Sequence, residues 1–317
     1  MRAKRCLYCY QPLDAGMNDF HPACSQLFFG SPIPPLLDYS YSEMKDLARE
    51  IAIKSIAVTG VQAKLSLTIE KKSKDPKGGR FTIVGLWGGY ILKPPTAEFP
   101  YLPANEDLTM HLATHFGITT ALHSLIRLKS GELAYITKRF DRVGVDKLAL
   151  EDLCQLSGTL TEDKYRSSME KVGKYITKFS SRAGLDALTF FETTLLSYLT
   201  GNADMHLKNF SLLTTTKNEI ILSPAYDLVC TKIVMPNDKE ETALTINGRK
   251  SKLRKTDFDA LATNLQISDK ARDNSYARFA RSLKEAQRWI AISFLPAKMK
   301  DEYKKLLTAN ARKLQLV

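Results

Sequence analysis

Apolar positions along the chain change period twice. Between Ser42 and Ile51 they recur at helical spacing, with Met44, Leu47, Ala48 and Ile51 on one side behind Ser42 as the expected N-cap. From Ile53 to about Phe140 the period becomes two: Leu65, Leu67 and Ile69 alternate with Ser66 and Thr68, and Phe81–Val84, Tyr90–Leu92 and Ala134–Thr137 read as further strands. The turn signal Asp75-Pro76-Lys77-Gly78-Gly79 separates the first two, and one helix, Glu106 to His115, interrupts the set. Beyond Leu148 the helical period returns. It is strongest over Asp186–Thr200, where Leu188, Phe191, Leu195 and Leu199 make an apolar stripe ended by Gly201. A hairpin breaks in (Phe210–Leu213, the polar turn Thr214–Asn218, Glu219–Leu222) before helices resume over Asp257–Asn264 and Asp269–Phe294. The pattern predicts an α+β protein with a β-rich first half and a mainly helical second half. The expected domains are 1–35, 36–140 and 141–317, the first being a Cys/His unit joined to the rest by the extended Pro32-Ile33-Pro34-Pro35.

The second half carries the densest polar constellation. Gly201-Asn202-Ala203-Asp204-Met205-His206-Leu207-Lys208-Asn209 lies between the strongest helix and the hairpin. Asp204 and Asn209 stand in the D-x4-N spacing by which phosphotransferases set a catalytic carboxylate beside a metal-binding amide. The hairpin folds the chain back, so that Asp227, in Ala225-Tyr226-Asp227-Leu228, can return close to Asn209. Two hard oxygen ligands, Asn209 and Asp227, suit Mg²⁺ shared with nucleotide phosphates. Asp204 would then accept the proton of the attacking hydroxyl and Lys208 would steady the transferring phosphoryl group. The plainer reading is a helix end capped by Asn202 and Asp204, with His206 bracing the loop.

In the first half, Thr59-Gly60-Val61-Gln62-Ala63-Lys64 lies between strand candidates, where a turn with free backbone N–H groups could cover phosphates; it lacks the glycine density of G-x-G-x-x-G. Lys93 closes the apolar run Tyr90-Ile91-Leu92 and would meet either an anion or the solvent edge. Glu106 opens the next helix and could pair with it, as a strand lysine and helix glutamate do in kinases.

These segments together resemble the HipA-like serine/threonine kinases of bacterial toxin–antitoxin systems, and most of all the shorter HipT branch. The matching stretches are Val58–Leu65, Ile91-Leu92-Lys93-Pro94, Asn105-Glu106, Lys138-Arg139-Phe140-Asp141-Arg142, Gly201–Phe210 and Ala225-Tyr226-Asp227, in family order over residues 53–230. The resemblance implies a two-lobed, protein-kinase-like fold that uses ATP and Mg²⁺. In it Asp204 falls at the catalytic base, Asn209 and Asp227 at the metal ligands, and Lys93 at the ATP-phosphate lysine. Thr59, Gly60, Val61, Gln62 and Lys64 fall in the nucleotide-covering loop, and Glu106 and His206 fall near the cofactor. Lys138 and Phe140 fall where the hinge meets adenine, and Asp141 where ribose is held. It further implies that the protein arrests growth by phosphorylating an aminoacyl-tRNA synthetase and is restrained by a DNA-binding antitoxin, DNA being engaged only through that partner. In the HipT branch the module that HipA carries at its N-terminus is a separate small protein. One departure stands out: the branch carries two autophosphorylated hydroxyl residues flanking an aliphatic one, whereas here the triplet is Ala57-Val58-Thr59. Either Thr59 serves alone, or a natural serine has been replaced at position 57.

Composition sets the frame. With 317 residues, 44% hydrophobic and 25% charged, the chain has ordinary globular values, and no apolar run is long enough to span a bilayer. Five cysteines, an odd number, argue against a disulfide framework, and no basic-then-apolar leader opens the sequence, so a cytoplasmic location is expected. Cys154 and Cys230 sit in apolar context and read as core. Cys6-x2-Cys9-x11-His21-x2-Cys24 supplies four ligands at zinc-ribbon-like spacing; the alternative is a reduced thiol cluster whose Phe28-Phe29 docks on the sheet. The net charge of +12 suits phosphates, nucleic acid or an acidic partner. It keeps a second class open, a nucleic-acid-associated binding protein with a degenerate kinase core, while a small-molecule phosphotransferase would differ only in its acceptor.

Overall fold

The computed structural model describes residues 4–54, 64–70, 79–84, 88–144 and 146–317. The expectations on Ala57, Thr59, Gly60, Val61 and Gln62, and the turn residues 75–78, lie outside the described residues. The chain divides into two compact units: Met1–Asp107 with Ala121–Phe140 and Ile292–Phe294, and Leu108–Thr120 with Asp141–Ala291 and Leu295–Val317. The Cys/His segment thus belongs to the first unit.

Among the described residues, the first unit is built on five antiparallel strands: β1 (Leu65–Glu70), β2 (Arg80–Val84), β3 (Tyr90–Lys93), β4 (His123–Arg127) and β5 (Leu133–Lys138), in the order β2-β1-β3-β5-β4. The period-two pattern works as expected in β1, where Leu65 and Leu67 are buried and Ser66 and Thr68 half-buried. Register fixes the rest: Leu65 faces Leu92, and Leu92 faces Ile136. Gly88 sits so close to β1 that a Cβ there would lie 2.5 Å from the Leu67 carbonyl oxygen, so only glycine fits. Helix α1 (Pro22–Phe29) opens on a proline and closes on Gly30 in the left-handed region (φ 75), the standard start and stop chemistry. Its Phe28 and Phe29 join Phe81 and Tyr90 in edge-to-face ring contacts of 4.7–5.9 Å, the aromatic centre of this unit.

Helix α2 (Tyr41–Lys54) starts earlier than its apolar period indicates, and Ser42 is not its cap. Ser40 and Glu43 form the reciprocal box instead, Ser40 Oγ accepting the Glu43 N–H while the Glu43 carboxylate accepts the Ser40 N–H. Helix α3 (Leu102–His115) likewise begins one turn before Glu106.

The second unit contains the ribbon β6 (Arg142–Val143) and β7 (Asp146–Lys147), then β8 (Leu150–Asp152), α4 (Leu153–Ser157), α5 (Met169–Phe179) and α6 (Ala183–Leu199). The hairpin β9 (Ser211–Thr214) and β10 (Ile220–Leu222) follows, then α7 (Lys255–Asn264), α8 (Asp269–Ile292) and α9 (Ala297–Lys313). The hairpin lies where its pattern puts it, and β8 joins it as a third strand in the order β10-β9-β8. Helix α6 is more than an amphipathic stripe. Every residue from Phe190 to Leu199 is buried, as befits a helix surrounded by others. Cys154 and Cys230 are buried as expected. No helix among the described residues is long and apolar enough to cross a membrane. The result is the mixed α+β architecture that the pattern predicts.

Candidate active site

The polar loop grows out of the end of α6. After Thr200, Gly201 turns the backbone into the left-handed region (φ 71), and a Cβ there would lie 2.5 Å from Leu306 Cδ2. The Gly201 carbonyl accepts from the Thr231 hydroxyl at 3.1 Å and the Lys232 N–H at 3.2 Å, while Thr231 Oγ1 accepts from the Ala203 N–H at 2.9 Å. The loop is thereby tied to a single turn of 3-10 helix at Thr231–Ile233. Asn202 Oδ1 accepts the Asp204 N–H, an Asx turn that sets the direction of the Asp204 side chain. Asn209 Oδ1 accepts the His206 N–H at 3.2 Å, which leaves that oxygen a second lone pair. Neither Asn202 nor Asp204 caps the helix end, where Thr200 is the C-cap; Asn202 turns the loop, and the Asp204 carboxylate has another partner, Tyr165, which donates its hydroxyl to Oδ1 at 2.6 Å.

Asp227 arrives by a different route. Ala225 bridges Thr120 in parallel, and Tyr226 donates its hydroxyl to the Lys208 carbonyl at 2.9 Å and sits 2.6 Å from Ser211 Oγ. Those contacts hold the turn against the loop, and Asp227 takes a left-handed backbone (φ 59), strained for a residue with a side chain though least so for Asx. Burial pushes the Tyr226 hydroxyl pKa up, and the Asp227 and Asp152 charges add to it.

His206 lies at the electrostatic centre. Burial pushes its imidazole down to about 4; the Asp204 and Asp227 carboxylates pull the other way, and the Lys164 ammonium adds to the lowering. The ring is thus neutral at pH 7, within reach of both carboxylates, and Tyr165 stacks edge-on against it at 5.0 Å. Burial also raises the Tyr165 hydroxyl pKa, with the bond to Asp204 contributing. Two buried polar atoms here, Asn202 Nδ2 and His206 Nδ1, have no hydrogen-bond partner. Lys208 turns aside: its ammonium meets Asp152 Oδ2 at 2.7 Å, at the carboxylate that also caps α4 through Gln155.

The first unit places the other expected residues. Lys93 Nζ and Glu106 Oε1 are 2.5 Å apart with side chains only 6% and 4% exposed, so the strand-lysine and helix-glutamate pairing is formed and buried. Lys93 also lies 5.3 Å from the Tyr135 ring centroid. Lys64 is exposed just before β1, Lys138 exposed at the end of β5, and Phe140 half-buried. In the second unit Asp141 is buried and bound to Arg142 at 2.6 Å. Sequence reasoning missed Tyr165 and Asp152, whose partners lie 39 and 56 residues away.

The donor set fits a hard divalent cation. Asn209 and Asp227 would hold it, with hard oxygens only. A neutral imidazole and two unsatisfied polar atoms at the same loop match a site designed to meet a further group.

Known proteins place the chain. It is 32% identical over 232 residues to a protein of Sinorhizobium fredii named "Putative kinase Y4dM", covering 68% of this chain and 54% of that protein. It is 30% identical over 188 residues to a protein of Haemophilus influenzae named "Putative kinase", covering 55% of this chain and 52% of that one. The chain spans about half the length of the curated relatives it matches. In fold it is similar to HipA from the Shewanella oneidensis complex of HipA, HipB and operator DNA (TM-score 0.68, 23% identity, 82% of this chain and 65% of that one). It also resembles the Helicobacter pylori proinflammatory kinase CtkA (TM-score 0.50, 18% identity, 72% of this chain and 88% of that one). Residues 56–289 match the HipA-like C-terminal domain, well over half of the sequence, and the chain belongs to that family.

Proposed function

We propose that this chain is an ATP- and Mg²⁺-dependent serine/threonine protein kinase of the HipT branch that acts as a toxin, phosphorylating a translation component such as an aminoacyl-tRNA synthetase and itself at Thr59. The observation that carries this reading is the meeting of Asp204, Asn209 and Asp227 at His206: both carboxylates act on its neutral, buried ring, Asn209 Oδ1 accepts its backbone N–H, and a left-handed backbone holds Asp227 there. Asp204 accepts the proton of the attacking hydroxyl on the carboxylate that Tyr165 orients. His206, kept neutral, holds the loop without adding positive charge beside the base. Lys93, fixed by Glu106, is the phosphate lysine, and Lys208, which meets Asp152 in this structure, leaves that carboxylate to steady the transferring phosphoryl group. The family resemblance assigns Thr59, Gly60, Val61, Gln62 and Lys64 to the nucleotide's phosphates, Lys138 and Phe140 to adenine and Asp141 to ribose. Bound Mg²⁺ supplies charge neutralisation on the phosphates.

The partners follow from the same reading. The Shewanella neighbour is a complex with HipB and operator DNA, which supports a DNA-binding antitoxin here, with DNA met only through it. A separate small protein would supply the module that HipA carries at its N-terminus. The cytoplasm is the compartment such a kinase requires. The test is transfer of labelled γ-phosphate by the purified chain, with Thr59 read by mass spectrometry and targets by phosphoproteomics of cells briefly expressing it. Asp204→Gln should lower transfer by about 10²–10⁴-fold. Salt-sensitive nucleic-acid binding with no ATP turnover by the wild type would overturn the proposal.

A further inference from the structure

The first thirty residues contain a cluster that phosphoryl transfer leaves unused. One ligand atom from each of Cys6, Cys9, His21 and Cys24 lies within 4.8 Å of the others, and all three cysteines are free thiols. We propose that these four side chains form a structural zinc site that fastens the N-terminal segment to the edge of the first unit's sheet.

Geometry supports zinc specifically. With Zn–S near 2.3 Å and Zn–N near 2.05 Å, a tetrahedral centre sets sulfur and nitrogen about 3.6 Å apart. The Cys9 Sγ–His21 Nδ1 and Cys24 Sγ–His21 Nδ1 separations are 3.4 and 3.8 Å, bracketing that value. The outer side of the imidazole is already set. His21 Nε2 lies 2.9 Å from the Pro12 carbonyl, which can only accept, so the ring proton sits on Nε2 and the Nδ1 lone pair faces the sulfurs. Four protein ligands close the tetrahedron and leave no open position, the arrangement of a structural site. Three thiols and a neutral imidazole match zinc's borderline softness, and each ligating thiol releases its proton to solvent on binding.

The local chain is folded to deliver these ligands. Cys6 and Cys9 stand on a tight turn, the Tyr10 N–H donating to the Cys6 carbonyl at 3.0 Å and Tyr10 itself left-handed (φ 61), while the Cys6 N–H donates to the Gln11 carbonyl at 2.9 Å. His21 precedes α1 and Cys24 lies in its first turn, which puts them on one side of the helix start. This segment contributes little regular structure of its own, so a cross-link is what such a small knuckle needs to hold one conformation.

What the knuckle does is visible from its contacts. Strand β4 is an edge of the five-stranded order, and its Leu125 N–H donates to the Leu7 carbonyl at 3.3 Å. Arg127 of the same strand grips Asp19 through two nitrogens at 3.1 and 2.9 Å. Leu7 lies between Cys6 and Cys9, and Asp19 two residues before His21, so the ligands pin the residues that cover an otherwise open sheet edge. Tyr10, one residue past Cys9, donates to buried Asp107 at 2.6 Å.

The experiment uses the full chain purified without chelator. Elemental analysis should find zinc near one per chain. Cobalt replacement should give the intense thiolate-to-cobalt absorption and visible bands of a tetrahedral site. Cys9→Ser and Cys24→Ser should reduce bound zinc to background, while His21→Cys, which keeps a ligand, should retain it. Hydrogen exchange at Leu125 should accelerate at least tenfold when zinc is stripped. Chain without zinc and without cobalt bands, iron in its place, or a disulfide among the three cysteines would overturn the proposal. Because metal content and the cobalt spectrum are read on wild-type protein, insolubility of a serine variant leaves the answer intact. None of these readouts depends on ATP turnover.

Discussion

Replacing Glu106 tests whether the first unit is organised around a buried charge pair. Lys93 Nζ and Glu106 Oε1 are 2.5 Å apart, with side chains 6% and 4% exposed. At an effective dielectric constant of about 20, unit charges at that distance attract by roughly 6–7 kcal/mol. Desolvation of several kcal/mol per ion offsets most of that gain. The pair as a whole is therefore worth little, whereas breaking it is expensive. Glu106→Gln keeps the volume, removes the charge and takes from a buried ammonium the carboxylate 2.5 Å away, which should cost about 3–5 kcal/mol. For a chain of this length, at about 2.1 cal/mol/K per residue, that lowers the unfolding midpoint by roughly 5–8 °C. The double variant Lys93→Met with Glu106→Leu puts apolar groups at both positions and should recover to within about 1–2 kcal/mol of wild type. Thermal and urea unfolding by circular dichroism, with hydrogen exchange at β3 and α3 to localise the effect, complete the cycle. A Glu106→Gln protein within about 1 kcal/mol of wild type, or a double variant no better than the single, would refute the reasoning.

Two further outcomes concern the second unit. Tyr165→Phe removes the hydroxyl that holds Asp204 Oδ1 at 2.6 Å, so kcat for phosphoryl transfer should fall by about tenfold while KM for the nucleotide changes little; an unchanged kcat would contradict the assignment of Tyr165 as the residue that orients this carboxylate. His206 is held near 4 in the fold against an ordinary value of 6.5, so the unfolded chain binds its proton first as pH falls. Its contribution is fully present above about pH 6.5 and is lost as pH falls toward 4, with a slope of at most about 1.4 kcal/mol per pH unit, and His206→Gln should flatten that part of the stability curve measured by urea titration.

Much of the fold was legible because burial imposes periodicity on neighbouring residues. The alternation in β1, the run in β3 and the β9–β10 hairpin each record a sheet face directly. What escaped was set by chemistry at a distance. Strand β4 has four consecutive buried residues, His123 to Ile126, with His123 held by Asp107 and stacked on Tyr135, so no alternation survives to betray it. The cap of α2 was misplaced by two residues because several serines compete there, and the reach of Glu43 decides for Ser40. Helix α3 begins early because its first turn buries Ala104 and Asn105 and lacks the polar signature of a helix start.

The candidate site divides along the same line, and the division has a physical reason. The loop that carries Asp204 and Asn209 is legible in the sequence because side-chain-to-backbone bonds that span two or three residues fix it; Asp204 N–H to Asn202 and His206 N–H to Asn209 are local, so the spacing sets the geometry. Asp227 needed one more inference, the hairpin, and Tyr226 supplies the contact that makes it good. Tyr165 and Asp152 left no local trace, because each reaches its partner through tertiary folding alone. Yet these are the groups that decide how the local motif behaves. One orients the carboxylate assigned as base, and the other draws Lys208 toward the cap of α4. A spacing motif can therefore specify which reactive groups a loop presents, while their ionisation and direction are properties of the folded unit.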